Sequence, residues 1–122
     1  MTVSVQCAMC NEWSTIGNKN DVHCPKCSAE YGLDLDLLMR LKMEAVMLYS
    51  KLFHRYNMIF CVTCALLSFF AGWYGTNAFL AALTVWFALW IPLMFKFSSL
   101  ADRKVRSQPQ FADFYGNPCV RE

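Results

Sequence analysis

The sequence predicts a composite fold: a small four-cysteine β-hairpin unit at the N-terminus, joined to an α-helical hairpin of two membrane-spanning segments. Three observations lead there. Cysteines 7, 10, 24 and 27 fall in two Cys-x-x-Cys pairs. Positions 56 to 95 contain no charged residue, and a bilayer core needs about 20 apolar residues per helical span. The flanks of that uncharged block are basic: Arg40, Lys42, Lys51 and Arg55 before it, and Lys96, Arg103, Lys104 and Arg106 after it.

The order of elements follows from local chemistry. Val3 and Val5 alternate with polar residues between Thr2 and Gln6, as a half-buried strand requires. Trp13 to Ile16 reads as a second strand, and Gly17 to Asp21 as a loop by its turn residues. This first unit covers residues 1–32. Residues 33–56 read as an amphipathic juxtamembrane helix, capped by Asp34 or Asp36. Its apolar face is carried by Leu37, Leu41, Ala45, Leu48 and Leu52 at spacings of three and four. No Gly or Pro separates it from the first span.

Residues 57–97 form the two-helix transmembrane hairpin. Its turn is Gly72 to Asn77, with Thr76 or Asn77 as N-cap, and Trp73 and Tyr74 suit a membrane interface. Pro92 is expected to kink or end the second helix. Residues 98–122 read as a cytoplasmic tail, loosely ordered unless a partner holds it. Because cytoplasmic loops are enriched in Lys and Arg, both basic flanks, and so both termini, are expected in the cytoplasm. Thiols stay reduced there. Met1 to Cys10 has neither a basic nor an apolar run, so no secretory signal is expected.

The metal pattern is the most specific signal in the chain. Two residues between cysteines let a tight turn aim both sulfurs inward, and thirteen residues bring the second turn opposite the first. Four thiolates suit a tetrahedral structural site. With Val-Gln-Cys-Ala-Met-Cys-Asn and Val-His-Cys-Pro-Lys-Cys-Ser as its two knuckles, residues 1–31 resemble the zinc-ribbon family. The resemblance implies a four-cysteine zinc site at Cys7, Cys10, Cys24 and Cys27 on a β-hairpin, and nothing about partners. That family has Gly after each pair; Asn11 and Ser28 stand there in this chain. Iron in a rubredoxin-like site is the alternative metal, since its knuckles are similar. Four ligands leave no open position, so the site is read as structural.

Weaker signals lie in the helices. Met58, Cys61 and Cys64 share one helical side, with a Met39, Met43, Met47 stripe and His54 before them. Soft ligands of this kind select copper(I), although Met and free Cys also fill ordinary apolar contacts. Ser68 and Gly72, with Ala78 and Ala82, are small residues four apart that let helices pack closely, within the hairpin or between subunits.

Composition narrows the function classes. The chain is 57% hydrophobic and 16% charged, against about 45–50% and about 25% for soluble domains. A net charge of +2 and a slightly acidic first unit argue against nucleic acid. No catalytic constellation or phosphate-binding loop is present, so an enzyme is not expected, and no small-molecule substrate is evident. The leading expectation is an adaptor, accessory subunit or assembly factor acting by protein–protein interaction at the cytoplasmic membrane face. Its expected partners are the lipid bilayer and membrane-protein subunits or a homo-oligomer. The alternatives are an oligomeric, holin-like pore, which resembles this chain in topology only, and a membrane-tethered nucleic-acid-binding ribbon.

Overall fold

The computed structural model describes residues 2–18 and 20–121. Lys19, in the expected loop at 17–21, lies outside the described residues. The chain divides into two compact units, Met1–Met47 with Val105–Glu122, and Leu48–Lys104.

The first unit is built on a three-stranded antiparallel sheet in the order β2-β1-β3. Strands β1 (Val3–Gln6) and β2 (Trp13–Ile16) pair from Val3↔Ile16 to Gln6↔Trp13. The alternation read from the sequence holds: Val3 and Val5 are buried, whereas Ser4 and Gln6 are partly exposed. Strand β3 (Val120–Arg121) pairs with the other edge of β1, Val120 opposite Val5.

That third strand overturns the expectation of a loosely ordered tail. After helix α2 (Thr76–Arg106), a 3₁₀ turn at Pro109–Phe111 and the single helical turn α3 (Ala112–Tyr115) lead the chain back to the sheet. Phe111, Phe114 and Val120 are buried. The amide of Gln6 donates to the Cys119 carbonyl at 2.8 Å, and the Arg121 guanidinium lies 4.5 Å from the centre of the Trp13 ring. Burial of aromatic surface together with satisfied edge amides orders a segment whose local pattern is only aromatic and irregular.

Helix α1 runs unbroken from Leu35 to Gly72, so the juxtamembrane helix and the first span are one element. Of the two candidate caps, Asp34 accepts from the Leu37 amide at 3.1 Å. Asp36 instead pairs with Arg40 one turn later, at 3.0 Å. The apolar face departs from the one expected only at its start: Leu41, Leu48 and Leu52 are half-buried, as expected. Leu35, Leu38 and Ala45 are buried, whereas Leu37 is 47% exposed. The sheet accepts the stripe that starts at the first helical residue, and Leu37 lies off it. The core of this unit gathers Val3, Val5, Ile16, Leu35, Leu38 and Phe114 around the two innermost cysteines, Cys7 and Cys24.

The second unit is the helical hairpin. Both helices are long and apolar enough to cross a membrane. They are held by an Asn57–Trp90 hydrogen bond of 3.2 Å, a Tyr49–Ser98 hydroxyl pair at 2.8 Å, and edge-on packing of Phe60 against Trp86. Much of the apolar surface faces outward: Phe69, Phe87, Ile91 and Phe95 are all exposed. A surface of that kind needs lipid or protein to cover it.

One local expectation is corrected here and a second is narrowed. The cap of α2 is Gly75, whose carbonyl accepts the first helical bond from Phe79. Its φ of +125° is a conformation that side chains avoid, which is why neither Thr76 nor Asn77 takes that position. Pro92 does not end the helix, which continues to Arg106. Proline removes one amide donor, but an ended helix in an apolar setting leaves a whole turn unpaired.

Candidate metal centre

Two knuckles with the same backbone geometry make the site. In the first, the Asn11 amide donates to the Cys7 carbonyl at 2.9 Å, and the Cys7 amide donates to Glu12 at 2.9 Å. In the second, Ser28 donates to Cys24 and Cys24 to Ala29, both at 2.8 Å. Closing each turn forces the residue after the second cysteine into the left-handed region, Asn11 at φ 54° and Ser28 at φ 57°. Lys26 and Glu12 form an ion pair from one knuckle to the other.

The geometry brings the four predicted ligands together. The sulfurs of Cys7, Cys10, Cys24 and Cys27 all lie within 4.8 Å of one another. Cys7 and Cys27 are 3.6 Å apart, and Cys10 and Cys24 are 3.7 Å apart. A disulfide would bring a pair to about 2.05 Å. A tetrahedral thiolate site with metal–sulfur bonds of about 2.3 Å has sulfur–sulfur edges of about 3.8 Å. The cluster therefore fits a four-coordinate metal ion, and these edges alone do not identify the metal.

The two cysteines of each knuckle differ in setting. Cys7 and Cys24 are buried in the core, Cys10 is half-buried and Cys27 is exposed. The amides of Cys27 and Lys26 point at the Cys24 sulfur and bring its thiol down to about 6. Those of Cys10 and Met9 lower Cys7 in the same way. At Cys27 the Ala29 amide favours the thiolate, but desolvation and the three other sulfurs outweigh it and push the thiol up to about 12. Four thiolates at this spacing need a cation among them. His23 is exposed and outside the four-sulfur cluster; its backbone bridges to Glu30.

Sequence reasoning passed over Tyr31, which packs buried against this core; its only signal is an aromatic residue just after the second knuckle. Ser28 yields a testable consequence. A left-handed conformation costs a side chain about 1–2 kcal/mol, and glycine avoids that cost. Ser28→Gly is expected to stabilise the first unit by about 1 kcal/mol, read as a later midpoint in chelator-induced unfolding.

The candidates in the two long helices are arranged differently. Cys61 and Cys64 both line a cavity of about 620 Å³ between α1 and α2, walled by Phe60, Phe69, Trp86 and Trp90, among others. Met58 is outside that lining and half-exposed. Of the small residues, Ser68 is 4% exposed. Ala78 and Ala82 are half-buried, and Gly72 is exposed. A Cβ at Gly72 would meet the Phe79 ring at 3.8 Å, an ordinary contact. Comparison of the chain with protein-family models, curated proteins and solved structures found no match.

Proposed function

We propose that this chain is a membrane-anchored zinc-ribbon adaptor, an accessory subunit or assembly factor that works by protein–protein interaction at the cytoplasmic face. The observation that carries the proposal is the closed four-sulfur cluster, with edges of 3.6 and 3.7 Å, in a chain whose two long helices can cross a membrane. Four protein ligands leave a metal no position for water or substrate, so the site holds a fold together. Zinc is the metal that structural thiolate sites of this form usually take; iron is the alternative.

The C-terminal strand supports the topology. Because β3 pairs with β1, the two ends of the chain belong to one folded unit. Two spans between them then return the chain to the side it left. The basic flanks support the cytoplasm as that side, where thiols stay reduced. The outward apolar residues of the hairpin are suited to lipid and to the spans of a larger complex or of a second copy.

Elemental analysis with native mass spectrometry of the detergent-purified chain tests the metal. One zinc per chain is expected, and iron or copper in its place overturns the zinc assignment. Cross-linking in native membranes tests the adaptor reading: Cys24→Ser should lose the cross-linked partners while the chain stays in the membrane fraction. Undiminished partner bands in that variant would sink the reading.

A further inference from the structure

The cavity between the spans has a shape and a polarity that the adaptor reading does not use. On α1 it runs from Phe60 to Phe69, nine residues or about 14 Å of helix. That is close to one leaflet's share, about 15 Å, of a hydrocarbon core of about 30 Å. On α2 it is walled by Phe79, Trp86, Phe87 and Trp90, and the Asn57–Trp90 hydrogen bond lies beside its near end. At its floor the Ser68 hydroxyl is buried without a hydrogen-bond partner.

Basic side chains continue the same stripe of α1 beyond the near end. His54 stands seven residues before Cys61, two helical turns, and Lys51 eighteen before Phe69, five turns. Arg55 adjoins them. All three are exposed. No carboxylate occurs in the sequence between Glu44 and Asp102, and neither of the ion pairs described above, Lys26–Glu12 and Arg40–Asp36, involves these three. An apolar slot about one leaflet deep, with basic side chains about one to three helical turns beyond its near end, matches a molecule with a long hydrocarbon chain and an anionic head.

We propose that this groove seats one acyl chain of an anionic phospholipid, with its phosphate held by Lys51, Arg55 and His54. The site rests on the membrane reading above. A free phosphate shares the headgroup chemistry but leaves the groove empty, and the depth of the groove assigns the site to the lipid.

Trp86 and Trp90 line the groove and report on its occupant. The full chain is reconstituted in vesicles of phosphatidylcholine or phosphatidylglycerol whose acyl chains carry bromine, a quencher of tryptophan fluorescence. Phosphatidylglycerol is expected to compete for the groove roughly fivefold better than phosphatidylcholine at low salt. That preference should disappear in Lys51→Gln/Arg55→Gln, whose changed side chains are exposed. It should also weaken in Cys61→Phe, which fills the groove and leaves the cations in place. Equal quenching by the two lipids overturns the proposal while leaving membrane insertion intact. Quenching by neither overturns both. Reversal by millimolar inorganic phosphate overturns the lipid assignment in favour of a simple anion site.

Discussion

Replacing Cys24 by Ser is expected to unfold the first unit and leave the helices formed. Cys24 is 1% exposed and belongs to the core as well as to the four-sulfur cluster. A structural zinc contributes about 10–16 kcal/mol of apparent binding free energy in a small domain. That exceeds what the short sheet and its few core residues can supply alone. Bound metal should fall from one per chain to near zero. Slow amide exchange at Val3 and Val5 should become fast, while the helical circular dichroism signal stays. Protection of those amides in a metal-free variant would show that the unit folds on its apolar core, and the structural role of the metal would have to be abandoned.

Phe114→Ala should be nearly as damaging to the same unit, although it lies ninety residues from the second knuckle's cysteine at 24. Phe114 is 3% exposed and packs in the core with Val3, Val5, Leu35 and Leu38. Removing a buried phenyl ring costs about 3–5 kcal/mol. The expected sign is loss of protection at Gln6, whose amide bonds to Cys119, and weaker retention of metal against a chelator. Truncation after Gly116 should reproduce the effect, because it removes β3 with Val120 and its pairing to Val5. If both variants hold metal as tightly as the parent chain, the third strand is an accessory to the first unit rather than part of its fold.

The metal site was legible because its chemistry is local. Two Cys-x-x-Cys pairs specify two turns, and the turns specify the hydrogen bonds that aim the sulfurs. Even so, nothing in the cysteine spacing showed that Ser28 would adopt a left-handed backbone as Asn11 does; closure of the turn dictates it. The helices were legible from the uncharged block and its basic flanks, because composition and length can be read without any tertiary context. The small residues were not separable by pattern. Ser68 and Gly72 look equivalent in sequence, and only packing distinguishes a buried hydroxyl from an exposed glycine.

By itself, then, the sequence determined the ligand set, the two β1–β2 strands, the two long helices and the polarity of their flanks. Each of these depends on neighbours a few residues apart, or on composition. Tertiary structure alone decided that Leu35 and Leu38 rather than Leu37 face the core, that Gly75 caps α2, and that the last residues close the sheet beside β1. Those outcomes depend on surfaces that meet only after the chain has doubled back through two long helices. A strand of two residues carries almost no signal of its own; the free edge of β1 and the buried rings of Phe111 and Phe114 give it a place.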